Sequence, residues 1–332
     1  MLTLDKIYKY EPLWGKWNVE NTLGDGNLSK VYKMKTKQNE ISVVKIFTIP
    51  TKVHHDEFYS NRQFDKEKNE KQYFYEIVEK VKEKIETIID IEKSDNILNF
   101  DKYFIKEHIN SIGWDILIKM DYLKSLGNYI SENNFTLREI IKMGIDISNA
   151  LELCHKNKII HKNLKENNIF ITDNGTFKLS DFNLLDDSIE YSCPEIMNGR
   201  PYKSNIDIYS LGLILYKLMN FNRLPFVPDY PKKINQDDLE KSQLKRLLGE
   251  KLIKPRNCED DFGNIIIRAC ESDPELRYQK AGELKNDLIK LMNKYSKEKL
   301  DKIIITNDIN KKNELTGVIE KENINDIKIN QY

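Results

Sequence analysis

The chain has 332 residues, with 53 Lys and Arg balanced by 53 Asp and Glu, and is 39% apolar and 32% charged. That length suffices for two packed lobes with a large core, and a formal net charge of zero gives no electrostatic ground for a nucleic-acid or membrane-surface partner. Cys154, Cys193, Cys258 and Cys270 lie far apart without a C-x-x-C pair, which argues against a zinc site or disulfide framework and fits a reducing compartment.

Met1 to Lys6 lack the basic and apolar regions of a signal peptide. The longest apolar stretch, Ile206 to Phe221, is interrupted by Asp207, Tyr209, Ser210 and Lys217, so it reads as a buried helix and not as a span of about 18 apolar residues. A cytoplasmic protein is expected, with residues 1–14 as an extension. Residues 15 to 50 alternate apolar and polar with Gly and Asn punctuation, the pattern of a small antiparallel sheet. Here lie the turn-like run Leu23 to Tyr32, with Gly24 and Gly26, and the apolar strand Ser42-Val43-Val44-Lys45-Ile46. From Asp56 to Glu92 the chain is charged, with Phe74, Ile77, Val78, Val81, Ile85, Ile88 and Ile91 at helical spacing. Strands near Leu98 to Lys106 and Trp114 to Met120 complete this region.

Beyond residue 122 the pattern is mainly helical and holds five further motifs. They are His161-Lys162-Asn163-Leu164-Lys165 with Asn168, Asp181-Phe182-Asn183, Tyr191-Ser192-Cys193-Pro194-Glu195, Asn205 to Gly212, and Asp273-Pro274-Glu275-Leu276-Arg277. Singly, each has an ordinary explanation: a G-x-G is most often a hairpin turn, a lone strand lysine is exposed, and an Asp-Phe pair is a strand end entering a turn. In this order and spacing, over residues 15 to 295, they resemble the protein kinase superfamily. The runs Ile112 to Met120 and Ile145 to Glu152 look most like bacterial Ser/Thr kinases. The resemblance implies an α+β bilobal protein kinase fold. Its N-lobe, residues 15–121, would be a small antiparallel sheet with one long helix, and its C-lobe, residues 122–295, mainly helical. Residues 296–332, rich in Lys, Asn, Asp and Ile without a period, read as a polar tail, either a flexible extension or a docking segment.

The same resemblance assigns roles. Gly24, Gly26 and Val31 belong to a glycine-rich loop, Val43 lies above an adenine, Lys45 contacts the ATP phosphates, and Met120, Asp121 and Leu123 form the hinge. Phe170 floors the pocket, while Asn168 and Asp181 are the magnesium ligands, so ATP and Mg2+ are the implied cofactors. Val43 and Phe170 are bulkier than the family's usual residues and shrink that pocket. His161, Phe182 and Ile88 match the family's packed spine, Asp207 its anchor, and Glu195 with Arg277 its internal ion pair.

The departures are concentrated in the chemistry. Asn163 stands where the family carries its catalytic Asp, and an amide does not accept a proton at neutral pH. Lys165 remains as the other cation of this loop, and Lys162 replaces an Arg. Lys84 falls where a helix glutamate should hold Lys45, with Glu83 and Glu86 as alternatives if the register moves by a residue or two. From Asp181 to Glu195 there are about 15 residues, short for a substrate-peptide groove, with hydroxyls at Ser188, Tyr191 and Ser192. The expectation is a pseudokinase: a regulatory or scaffolding module that keeps the phosphate and magnesium residues of an ATP site, with ATP binding itself left open, and binds an unidentified protein partner such as an active kinase. A weakly active or unorthodox Ser/Thr protein kinase is the alternative, and nucleotidyl transfer from ATP a more distant one.

Overall fold

A computed structural model describes residues 5–25, 28–61, 69–91, 94–98, 100–182, 184 and 191–306. The chain divides into two compact units, residues 1–123 with 180–186, and residues 124–179 with 187–332. The sequence boundary after residue 121 falls two residues before the structural one, and the short stretch from 180 to 186 returns to the first unit.

The first unit opens with helix α1 (Asp5–Tyr8), then strands β1 (Asn18–Asp25), β2 (Ser29–Lys35) and β3 (Ile41–Ile49). Helices α2 (Lys52–Asn61) and α3 (Glu70–Asp90) follow, then β4 (Phe100–Glu107) and β5 (Trp114–Met120). The five strands form one antiparallel sheet in the order β1-β2-β3-β5-β4. Side chains alternate across a strand, so directly paired residues share a face. One face carries Tyr32, Met34, Val44, Ile46 and Leu117, which pack with Ile7, Leu13 and Trp17 from the start of the chain. Ile7 and Leu13, with Tyr10 and Trp14 against them, are therefore part of this core: the described part of the segment set apart by sequence covers one side of the sheet. Buried Asp115 fastens it there, accepting from Tyr10 Oη at 2.7 Å, Lys9 Nζ at 3.0 Å and Thr48 Oγ1 at 2.6 Å. Burial would raise the Asp115 carboxyl, but these donors and His108, 3.1 Å away, hold it down at about 2.

The charged helical region holds two helices, α2 and α3, with residues 62–68 outside the described residues. Asn69 starts α3 by accepting from the Lys71 N–H at 2.9 Å. Phe74, Val78, Val81, Ile85 and Ile88 form its buried stripe, as the spacing indicates.

The second unit contains β6 (Lys124–Ser125), α4 (Leu126–Glu132), β7 (Phe135–Thr136), α5 (Leu137–Lys156), β8 (Ile169–Ile171) and β9 (Phe177–Leu179). It continues through α6 (Pro194–Met197), α7 (Asn205–Leu218), α8 (Gln236–Leu247), α9 (Asp260–Ala269), α10 (Ala281–Lys294), α11 (Lys297–Leu300) and β10 (Ile303–Ile305). Thr136 and Glu139 make a reciprocal capping box that starts α5. α7 is buried on nearly every side, which explains its almost unbroken apolar run. A Cβ at Gly212 would meet Ala269 Cβ at 2.8 Å, so glycine lets α7 approach α9 closely.

The polar tail begins with ordered structure: β10 pairs antiparallel with β7, Ile304 and Ile305 are buried, and Arg138 is paired with Asp301. Residues 307–332 lie outside the described residues. Among the described residues, no helix is long and apolar enough to cross a membrane.

Candidate functional site

In the first unit, strand register assembles one group of the expected site residues. Gly24 pairs with Val31, Val31 with Lys45, and Val43 with Met120. Val31, Val43, Lys45 and Met120 thus share the sheet face opposite the N-terminal cluster. Val43 and Met120 are buried side by side, and Ser42 Oγ donates to the Met120 carbonyl at 2.8 Å, tying the end of β5 to β3. Asp121 is exposed and Leu123 half-buried beyond it. Gly26 lies outside the described residues, as does Asn183.

Lys45 is ion-paired with Asp181. Asp181 sits at φ 62, a left-handed conformation that Asp tolerates better than most residues. The neighbouring Phe182 is fully buried, edge-on to Phe100 with ring centres 6.4 Å apart. The helix carboxylates considered for Lys45 are used differently: Glu86 accepts from Tyr103 Oη at 2.6 Å and Glu83 is exposed. Among the described residues, the carboxylate paired with Lys45 is that of Asp181. Lys84, half-buried on α3, has an interaction partner of its own.

In the second unit, buried Asp207, in the first turn of α7, organises the loop after α5. Its Oδ2 accepts from the His161 N–H and lies 2.8 Å from His155 Nε2, while its Oδ1 accepts from the Lys162 N–H at 2.8 Å. These bonds hold Lys162 at φ 63, and His161 is fully buried, a packed core histidine as the sequence indicates. Asn163 follows with 6% exposure, its N–H 3.3 Å from His161 Nδ1. Asn168 donates its side-chain amide to the Asn163 carbonyl at 2.7 Å and its backbone N–H to the Lys165 carbonyl at 3.0 Å. Register then places Phe170 of β8 opposite Ser125 and Lys178.

Among the described residues, no hydrogen-bond donor reaches buried Asn163 Oδ1. A buried, unsatisfied acceptor costs roughly 1–3 kcal/mol, so this atom would favour a hydroxyl or ammonium donor, which it can orient but not deprotonate. The oxygens of Asn168 and Asp181 are of the hard type that suits Mg2+, and Lys45 is a cation suited to phosphate. Each of these groups is present in its unit, and their chemistry fits ATP with magnesium.

Two features were not read from the sequence. His155 has no motif of its own, and its bond to Asp207 spans 52 positions. Glu166, within the short 3-10 turn Glu166–Asn168, forms an ion pair with Lys217 at 2.9 Å and accepts from Tyr191 Oη; Lys217 Nζ also donates to Tyr191 Oη at 3.0 Å. Burial works to raise the Glu166 carboxyl, but Lys217 and Tyr191 outweigh it and hold it below the ordinary glutamate range. The signal was available: a single lysine in an otherwise buried helix requires an anion. Farther along, Arg277 forks onto both oxygens of Glu195, with Nη2 to Oε2 at 2.8 Å, as the resemblance implies.

A model of the protein kinase domain matches residues 17–289. A probable serine/threonine-protein kinase of Clostridium perfringens is 29% identical over 301 aligned residues, covering 84% of this chain and 38% of that protein. One of Clostridium acetobutylicum is 27% identical over 331, covering 91% and 45% respectively. A third, of Dictyostelium discoideum, is 26% identical over 276, covering 78% and 57%. The chain thus spans less than half the length of the two clostridial relatives. With the match extending over most of its length, the chain belongs to the protein kinase domain family.

Proposed function

We propose that this chain is a pseudokinase: a kinase-fold regulatory or scaffolding module that binds ATP with magnesium and does not transfer the phosphate efficiently. The observation that carries this reading is Asn163, a buried amide at the position that aligns with the family's general base. A positioned base contributes about 10²–10⁴ in rate, and an amide supplies none of it. On this reading Lys45 holds the phosphates, Asn168 and Asp181 hold the metal ion, and Lys165 adds a second cation in the loop. Magnesium would neutralise phosphate charge when bound, and Val43, Met120 and Phe170 are the residues assigned to the base. The partner is a protein, with an active kinase among the candidates.

One observation supports a second reading, a weak or unorthodox Ser/Thr kinase: Asn163 Oδ1 remains an open acceptor that could orient a hydroxyl without taking its proton. Incubation with labelled ATP and magnesium separates these. The pseudokinase reading expects no label on the chain or on generic protein substrates. Transfer of γ-label that disappears in Lys45→Ala would establish the second reading, and transfer of α-label would indicate nucleotidylation.

A further inference from the structure

Asn220, Phe221, Asp229, Tyr230 and Arg256 line a cavity of about 190 Å3 in the second unit. An apolar cavity of about 150 Å3 takes benzene, so this one has room for a single substituted ring.

The sequence builds it from two turns laced together. After α7 the chain reverses through Phe221 and Asn222, at φ 57 and 56. Asn220 holds that turn by donating its side-chain amide to the Arg223 carbonyl at 3.2 Å, and its Oδ1 accepts from the Arg256 N–H at 3.2 Å. The Asn257 N–H adds a bond to the Met219 carbonyl at 3.0 Å, which draws the stretch before α9 against the end of α7. One wall is aromatic. The Phe221 and Tyr230 rings stack with centres 5.3 Å apart and planes inclined by 15°, and the Arg223 guanidinium lies 5.4 Å from the centre of the Tyr230 ring.

The polar wall is a fixed donor and acceptor side by side. Arg256 Nε and Nη2 donate to the two carboxylate oxygens of Asp229 at 3.3 and 2.8 Å. Among the described residues, Arg256 Nη1 makes no hydrogen bond, and each Asp229 oxygen keeps a lone pair. This arrangement sorts ligands by charge. A carboxylate would accept from Arg256 but meet Asp229, and an ammonium would suit Asp229 but meet Arg256. A neutral hydroxyl satisfies both, accepting from Nη1 and donating to the carboxylate. A single ring that carries a hydroxyl is a phenol.

We propose that this cavity receives a tyrosine side chain from a protein partner. The ring lies against the aromatic wall and the hydroxyl bridges Arg256 and Asp229. Tyrosine is among the side chains that anchor interfaces by filling such pockets, because it brings a large apolar body and one polar tip. The proposal rests on the reading of the chain as a module that acts through a protein partner, and it involves none of the residues assigned to ATP.

The test titrates the whole chain into a dye-labelled, end-blocked Gly-Gly-X-Gly-Gly peptide in which X is tyrosine, phenylalanine, para-carboxyphenylalanine or para-aminomethylphenylalanine. By anisotropy the tyrosine form should bind about tenfold more tightly than the phenylalanine form, the scale of one hydrogen bond to a charged group. Both charged forms should bind more weakly than tyrosine, and para-cresol, the free side chain, should compete. Arg256→Gln should erase the preference for tyrosine over phenylalanine, while Arg138→Gln, which opens the exposed pair with Asp301 outside the cavity, should retain it. Asp229→Asn removes the carboxylate that opposes a second one, so it should raise the affinity of the para-carboxy form. Arg256 and Asp229 are both exposed, and melting curves check that their variants fold. Binding of para-cresol without any peptide would assign the cavity to a free phenol and overturn the partner. No binding of any form at millimolar concentration, equal binding of the tyrosine and phenylalanine forms, tightest binding of a charged form, or a preference that survives Arg256→Gln would also overturn the proposal. Phosphate transfer by the native chain would overturn the pseudokinase reading and leave this site standing, so the two fail separately.

Discussion

Lys45 and Asp181, 136 positions apart, are ion-paired, with Asp181 held in a left-handed backbone conformation. The pair joins the cation assigned to phosphate with the carboxylate assigned to magnesium, so a bound nucleotide must exchange their mutual contact for its own. At a free concentration of about 100 times Kd, ATP with magnesium should stabilise the protein by roughly 2.7 kcal/mol. Asp181→Asn should remove the magnesium-dependent part of the melting shift. Both side chains keep some exposure, so the same change should alter the ligand-free stability by less than about 1 kcal/mol. A magnesium-dependent shift that persists in Asp181→Asn would contradict this assignment.

Glu166 and Lys217 should behave as a unit. Lys217→Met leaves the largely buried Glu166 carboxylate with the Tyr191 hydroxyl but no cation, at a cost of about 1–3 kcal/mol. Glu166→Gln combined with Lys217→Met should recover part of that loss, because no charge is then left without its partner. Chemical denaturation of the two single variants and the double variant checks this; simple additivity would show that the residues do not interact.

Asp115 should make stability acid-sensitive. Its folded pKa, about 2, lies below the unfolded value of 3.8, so its contribution is fully present above about pH 4 and is lost as pH falls toward 2. The shift corresponds to roughly 2 kcal/mol. Asp115→Asn should lower stability at pH 7 and flatten the dependence between pH 4 and pH 2. An unchanged slope in that window would rule out Asp115 as its source.

The parts of the protein most legible in its sequence were those encoded by short-range spacing. The stripe Phe74, Val78, Val81, Ile85 and Ile88 announces α3, while the ion pair of Glu195 with Arg277 that the structure contains was implied by the family resemblance. What the sequence hid depends on side chains meeting across long separations. Ile7, Leu13 and Trp17 have no shared period, so nothing local shows that they cover Val44, Ile46 and Leu117. Lys45 invited a search for a helix glutamate, yet Glu86 is used by Tyr103 and the lysine turns to Asp181. Ser296 to Ile305 looked featureless because the apolar residues of β10 pair with a strand more than 160 positions earlier.

Restoring a carboxylate alone should not restore transfer. Asn163→Asp returns a proton acceptor whose worth is up to about 10⁴ in rate, but Lys45 is paired with Asp181, and the stretch from Asp181 to Glu195 remains short. Orientation of a substrate hydroxyl contributes as much as the base, and the substitution does not supply it. Asn163→Asp is therefore expected to stay at background in a γ-label assay. Robust activity from this single change would mean that position 163 alone accounts for the loss.

The central claim is that the native chain does not carry a phosphoryl group from ATP to protein. Incorporation of γ-phosphate should be quantified for the native protein beside Lys45→Ala, with magnesium and millimolar ATP. The expected result is that the two are indistinguishable from background. Magnesium-dependent incorporation by the native chain that Lys45→Ala abolishes would contradict the account.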